Sequence, residues 1–395
     1  MRTNYTIDSL GKHVRQISQR NKGESGSEVF SVTNSEGFTR STEYFSKEVF
    51  SKDISNYKVV RRGQFAYNPS RVNVGSIDYL RPVDRALVSP LYIVFETDED
   101  LYPDYLLRYL KSDWGNAQIR ANTEGAVRDS LKYKGLEKIK IPLPRHDDQK
   151  RIAHLLGKVE GLIARRKQHL QQLDDLLKSV FLEMFGDPVR NEKGWNKKPL
   201  AKLGNLDRGV SKHRPRNAPQ LLGGKYPLIQ TGDVSNAGTY ITRFTQTYSE
   251  LGFAQSKIWP SGTLCITIAA NIAQTGILTF DACFPDSVVG FTAYEGEASP
   301  LYAIGLFWFF QRILEKNAPA AAQKNINLKI LREMEVPAPP IDIQNQFAAV
   351  VEKGEGLKYR YQQSLTDLEM LYGTLSQKAF KGELNLTHIS LDGDK

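Results

Sequence analysis

Residues 149–185 read QKRIAHLLGKVEGLIARRKQHLQQLDDLLKSVFLEMF. Numbered in heptads, one seam of this stretch holds Leu156, Ile163, Leu170, Leu177 and Met184, and its companion holds Ile152, Val159, Arg166, Leu173 and Val180. Nine of these ten positions are apolar, the segment has no proline and its opposite face is charged. That pattern predicts a helix packed lengthwise on a partner helix. At about 1.5 Å per residue the stretch makes a rod of roughly 55 Å, which reads as a spacer in mid-chain. Arg166 is the lone charge in the seam, and a solvated position is expected for it.

The pattern returns 195 residues later. Leu136, Pro142, Pro144, Gln149, Glu160, Leu170, Leu173 and Phe185 correspond without a gap to Leu331, Pro337, Pro339, Gln344, Glu355, Leu365, Leu368 and Phe380. A second helix is expected over 344–380, with a seam of Phe347, Val351, Tyr361, Leu365, Leu368, Tyr372 and Leu375. Gly354 and Lys358 stand where the first seam has Val159 and Ile163, so a kink or fraying is expected there. The two seams are natural partners. Antiparallel pairing would give the chain an internal pseudo-two-fold repeat.

Outward from the helices, each is preceded by a globular block of the same order. Residues 28–32, 57–69 and 85–96 in the first block, and 226–234, 257–273 and 287–296 in the second, are β-rich runs punctuated by turn residues. A helix follows in each, over 103–118 and 301–315, then a polar segment and a proline-ended strand. The globular parts match only loosely in sequence. The fold class expected is α+β: two mixed α/β domains joined by two long helices that form an antiparallel coiled coil. The boundaries are 1–145, 146–186 for the first helix, 187–340, 341–384 for the second, and a tail at 385–395.

A chain of 395 residues with 40% apolar and 25% charged composition has room for several cores. No leader is visible, and the longest apolar run, 301–310, is too short for a bilayer span of about 20 residues, so no membrane partner and a cytoplasmic location are expected. The net charge of +9 divides as +5 over 1–145, +1 over 146–186, +5 over 187–340 and −2 over 341–395. Two basic blocks suggest a polyanion partner. Cys265 and Cys283 lack histidines at metal-ligand spacing, so neither zinc nor a disulfide is expected. No nucleotide-cradling glycine loop is present. Asn68–Pro69–Ser70–Arg71 begins like the Asn-Pro-Pro-Tyr/Phe motif of adenine methyltransferases but lacks its second proline and its aromatic, and reads as a turn. No catalytic and no metal-ligating residue is assigned.

Candidate nucleic-acid contacts fall in the polar segments. In the first block Arg61, Arg62, Asn68, Arg71 and Asn73 surround one strand and turn, and Asn122, Arg128, Lys132 and Tyr133 lie in the late loop. In the second, Lys212, Arg214 and Arg216 form a basic loop, Thr231 and Asp233 end a strand, and Asn271, Gln274 and Thr275 occupy a strand-turn. Lys324, Asn325 and Asn327 lie in the second late loop. Arginine, asparagine and glutamine suit bidentate base-edge contacts, whereas lysine and hydroxyls mostly grip phosphates.

The domain–helix–domain–helix order resembles the specificity subunit of a type I restriction–modification system. So do the phrases IKIPLP…DDQKRIA, LLKSVFLEMFGDP, YPLIQTGDV and QKAFKGEL. The resemblance covers the whole chain. It implies two target recognition domains, each reading half of a bipartite, asymmetric site in double-stranded DNA, with the helices fixing the gap. It also implies a subunit without catalysis or cofactor of its own. Two methyltransferase subunits would dock on it and bring S-adenosylmethionine, and restriction subunits would bring ATP and Mg. The alternatives are a DNA methyltransferase or nuclease with a fused recognition domain, and a coiled-coil scaffold that binds DNA without sequence preference.

Overall fold

The computed structural model describes residues 3–22, 28–41, 53–124, 129–269, 271–317 and 325–391. The chain divides into two compact units, Met1–Arg165 with Leu365–Lys395, and Arg166–Ser364, so the division cuts both long helices.

In the first unit the central sheet runs Val14–Ile17, Ile93–Thr97, Phe65–Tyr67, Ile77–Tyr79, with all neighbours antiparallel. In the second the order is Gly204–Arg208, Val288–Ala293, Leu264–Thr267, Thr275–Leu278, extended by Tyr240–Ile241 in parallel. The first four strands have the same order in both units, so the repeat extends through blocks whose sequences match only loosely. The run 57–69 is not one strand: Lys58–Arg61 and Phe65–Tyr67 lie in different sheets, separated by a turn at Gly63, where φ is 85°. A residue with a side chain is disfavoured in that left-handed conformation.

A helix follows the sheet in each unit. Its second-unit form, Pro300–Asn317, is continuous, and nine of its residues are buried. The single helix expected over 103–118 is instead two, Pro103–Lys111 and Asp113–Ala121. The break is chemical: the Ser112 hydroxyl accepts the Gly115 amide at 3.2 Å as an N-cap. A Cβ on Gly115 would lie 2.0 Å from the Tyr109 carbonyl oxygen.

The long helices are His146–Phe185 and Ile341–Lys381. In the first unit the start of one and the end of the other share a core, with Ile152, Ala153 and Leu156 beside Ala379 and Phe380. In the second, Leu177, Phe181 and Phe185 join Phe347 and Val351. The pairing is therefore antiparallel within each unit. Of the seam residues, Ile152, Leu156, Val159, Leu177, Phe347, Val351 and Leu365 are buried. Ile163, Leu170, Leu173, Val180, Tyr361, Leu368, Tyr372 and Leu375 are half-buried.

Two expectations are corrected here. The second helix runs unbroken through Gly354 rather than fraying there, and a tertiary contact takes the place of the missing side chain: a Cβ at Gly354 would meet Leu177 Cδ2 at 3.0 Å. Lys358 turns its ammonium to Asp174 at 2.7 Å and Glu355 at 2.9 Å. Burial opposes its charge, and those two carboxylates outweigh it, raising its pKa above the usual lysine value. Arg166 is half-buried rather than fully solvated; its guanidinium lies 4.5 Å from the ring centre of Tyr361, in cation–π contact.

The same buried glutamine fastens each helix start to its domain. Gln149 accepts the Tyr102 amide at 2.8 Å and donates to the Asp100 and Pro144 carbonyls at 2.8 and 3.0 Å. Gln344 accepts the Ser299 amide at 3.0 Å and donates to Glu297 and Pro339 at 3.2 and 2.8 Å. Tyr105 and Tyr302 repeat the theme, donating to the Pro142 and Pro337 carbonyls at 2.7 and 2.9 Å.

Candidate nucleic-acid interface

In both units the loop joining the third and fourth sheet strands is bound to the late polar segment. In the first, the Leu131 amide donates to the Pro69 carbonyl at 3.0 Å and the Tyr67 hydroxyl donates to the Leu131 carbonyl at 3.2 Å. Burial pushes that tyrosine pKa far up, so it remains a neutral donor. In the second, the Ile326 amide donates to the Ile268 carbonyl at 3.0 Å, and Ala269 pairs with Asn325. Each loop ends on a left-handed residue, Gly75 with φ 93° and Ala273 with φ 58°. The two loops thus occupy equivalent places with different side chains.

Local chemistry shapes each loop. Asn68 accepts the Ser70 amide at 3.1 Å, an Asx turn, and the Arg71 amide donates to the Asn68 carbonyl. Asn116 donates to the Asn73 carbonyl at 2.9 Å. In the second loop Thr267 accepts the Gln274 amide at 3.0 Å, and Asn271 donates to the Ser235 hydroxyl at 3.2 Å, which ties the loop to the short helix Thr231–Ser235.

The structure therefore gathers Asn68, Arg71, Asn73 and the late segment with Lys132 at one end of the first sheet. At the equivalent end of the second sheet lie Asn271, Gln274, Thr275 and Asn325. The basic loop joins them, because Arg214 and Arg216 both pair with Asp286, next to Ser287, whose carbonyl takes the Ile268 amide. Lys212 is exposed, and its backbone amide donates to Gln255. Exposed pairs of this kind hold arginines weakly enough to release them to phosphates.

Other assignments change. Arg61 and Arg62 precede strand Phe65–Tyr67 and Asn68 follows it, so these residues are not one cluster. Arg62 instead pairs with Asp84 at 2.7 Å. Thr231 and Asp233 do not end a strand; they open a helix, and Asp233 accepts the Gln230 amide at 2.8 Å in a capping box. Asn327 caps Leu328–Glu333 by accepting the Ile330 amide at 2.9 Å. Tyr133 spends its hydroxyl on the Val14 carbonyl at 3.1 Å, and Asn122 donates to the Gln118 carbonyl at 2.9 Å. Arg128 and Lys324 lie outside the described residues. Sequence reasoning missed Asp286, the shared acid of the basic loop, because only strand order brings it there. Lys132 keeps one partner, Glu124, at 3.4 Å.

Burial raises the pKa of both thiols, Cys265 and Cys283, above the ordinary range. His13, Asp98 and Asp100 place potential metal-ligand atoms within 4.8 Å of one another. The His13–Asp98 contact at 2.9 Å accounts for that grouping as a hydrogen bond. Among the described residues no helix is long and apolar enough to cross a membrane.

A duplicated α+β domain with a basic, amide-rich loop end, borne on paired long helices, defines the class of a two-part DNA reader. The chain belongs to the family of the type I restriction modification DNA specificity domain, whose model matches residues 34–174 and 192–356. It is 22% identical over 337 residues to the type I restriction enzyme EcoBI specificity subunit of Escherichia coli, covering 76% of this chain and 69% of that one. It is 27% identical over 278 residues to the MjaVIII specificity subunit of Methanocaldococcus jannaschii, covering 63% and 62%. The fold is like that of the crystallised type I restriction–modification S subunit from M. genitalium, with TM-score 0.57, 13% identity and 96% of each chain covered. A chain solved in a study of complex assembly and conformational transition of the type I system is also similar, with TM-score 0.57, 17% identity, and 96% and 98% covered.

Proposed function

We propose that each half of this specificity subunit reads one half of an asymmetric, bipartite site in double-stranded DNA through the loop end of its central sheet. The observation that carries this reading is the shared strand order under unlike loops: one scaffold, used twice, presents Asn68, Arg71 and Asn73 in one half and Asn271, Gln274 and Thr275 in the other. Amide side chains there suit adenine edges, and the neighbouring cations suit phosphates. The paired helices fix the gap between the half-sites, which a flexible linker could not do. Two readers on the same side of B-DNA must be about one turn, roughly 34 Å, apart.

The subunit acts without catalysis of its own. Two methyltransferase subunits carry S-adenosylmethionine, and restriction subunits carry ATP and Mg. Docking on the helices is supported by exposed leucines that repeat at the 195-residue offset: Leu162 at 48% exposed with Leu357 at 37%, and Leu176 at 54% with Leu371 at 45%. Solvated seam-flanking positions do not need leucine, whereas a partner helix does. Sequencing methylated adenines in the host with and without this gene tests the reading. The expected result is one bipartite motif that vanishes with the gene; an unchanged set of methylated motifs would overturn it.

A further inference from the structure

Which edge of an amide meets a DNA base is decided by what its other edge is bonded to. Asn271 is exposed at the loop end of the second sheet, and its Nδ2 lies 3.2 Å from the Ser235 hydroxyl oxygen. That hydroxyl donates its one proton to the Thr231 carbonyl, a turn back, at 2.8 Å. With the proton committed, the oxygen can only accept. The amide nitrogen of Asn271 must therefore face Ser235, because the opposite sense would set two oxygens against each other. Oδ1 is left as an acceptor that makes no hydrogen bond among the described residues.

Both residues are held in place. The Thr267 hydroxyl donates to the Asn271 carbonyl and accepts the Gln274 amide at 3.0 Å, and the Ala273 amide donates to the Thr267 carbonyl at 2.7 Å. The helix that carries Ser235 is fixed at its start by the Gln230–Asp233 capping box and along its length by Val234, which is buried. Past its end, the Thr239 hydroxyl donates to Glu355 on the long helix at 2.8 Å. A contact group fixed before binding loses little freedom when it binds. In the first unit the loop amide has the opposite sense: Asn68 turns its oxygen to the Ser70 N–H, which can only donate.

We propose that Ser235 is a positioning residue that sets the Asn271 amide to read a major-groove exocyclic amine, adenine N6 or cytosine N4. The proposal rests on the function proposed above. Each base pair carries one such amine in the major groove, and Oδ1 accepts from it. On adenine the second Nδ2 proton also meets N7, whereas cytosine offers it no acceptor. Without the Ser235 hydroxyl the amide turns freely, and an inward oxygen leaves only donors to face the base.

The test uses the chain assembled with methyltransferase subunits. Sequencing methylated adenines in cells carrying Asn271→Ala identifies the base pair that this residue reads, as the one position of one half-site that relaxes. Its identity, A·T or C·G, distinguishes the two amines. Duplexes lacking the amine at that pair, with purine for adenine or 2-pyrimidinone for cytosine, are then titrated against the natural duplex. The deletion should weaken binding of the unsubstituted chain roughly tenfold and change binding of Asn271→Ala and Ser235→Ala by much less. Ser235→Thr keeps the hydroxyl and should restore the tenfold response. A full response in Ser235→Ala would mean that the serine does not set the amide, and overturns the proposal. So would a natural chain that ignores the amine and instead loses affinity when purine N7 is replaced by carbon, since the amide would then present its nitrogen. If Asn271→Ala relaxes no position, the proposal falls together with the reading of DNA by this loop. A position that relaxes but is indifferent to its amine removes the proposal and leaves that reading standing.

Discussion

In the first half Glu160 accepts hydrogen bonds from Arg108 at 2.9 Å and from the Tyr372 hydroxyl at 2.7 Å. In the second half its counterpart Glu355 accepts from the Thr239 hydroxyl at 2.8 Å and from Lys358 at 2.9 Å. Arg108 is nearly buried and also pairs with Asp104 at 2.8 Å. Burial opposes its charge, and Glu160 and Asp104 overcome it. The second half uses a neutral hydroxyl at that place and adds the Phe181 ring, packed over Gly305, where a Cβ would come within 2.4 Å of it. Both halves pack rings against their helices, Phe380 on Tyr105 and Tyr109 in the first and Phe185 on Tyr302 in the second, but the first adds a charge pair and the second the extra Phe181 ring, while the glutamine and tyrosine clamps are alike. The difference teaches that the repeat fixes where a domain meets the helices, and each half supplies its own chemistry there.

The largest expected effect breaks the aromatic side. Phe181→Ala should cost about 3–5 kcal/mol in a chemical denaturation series, the range for emptying a large buried ring site. Ser376→Ala at the corresponding position should change stability by less than about 0.5 kcal/mol. Equal losses would show that the two positions are not used differently.

Next come the shared clamps. Gln149→Leu and Gln344→Leu each strand one amide and two carbonyls, so each should cost about 3 kcal/mol, by the same denaturation measurement. Unequal losses would break the equivalence of the two halves. Arg108→Leu should cost about 1–2 kcal/mol, discounted because Glu160 is 43% exposed and can be rehydrated. Thr239→Val, which removes one hydrogen bond, should cost about 1 kcal/mol. A larger loss from Thr239→Val than from Arg108→Leu would reverse the contrast drawn between charge and packing.

The smallest effect is a pH dependence. The Lys358 pKa is raised above 10.5 in the folded chain, so its stabilising contribution is complete below that value and is lost as pH rises through the folded pKa. The stability difference between the unsubstituted chain and Lys358→Met, at most about 1–2 kcal/mol at neutral pH, should therefore shrink in alkaline solution. A difference that grows with pH would mean that the ammonium is not what Asp174 and Glu355 bind.

Both long helices were legible because a heptad period survives in side chains, and the 195-residue offset followed from it. Phe181 was not, since it lies off the seam and is claimed by the domain helix. Gly354 and Lys358 misled because helix propensity does not report Leu177 or Asp174 across the seam. The common strand order of the two domains was invisible: strands of three to six residues are specified by backbone pairing, and their sequences drift freely. Within the candidate interface, residue type singled out loops that the fold brings to one end of each sheet, but not what their side chains do there. Thr231, Asp233 and Asn327 satisfy helix ends, and Arg61 and Arg62 lie at the far end of a strand, facts that only topology supplies.

The central claim is that two readers act independently on one chain. Replacing residues 196–335 with the matching block of a relative and sequencing the methylated adenines in cells tests it most directly. One half of the bipartite motif should change while the other half and the gap stay as they were; a change in both halves would contradict the account.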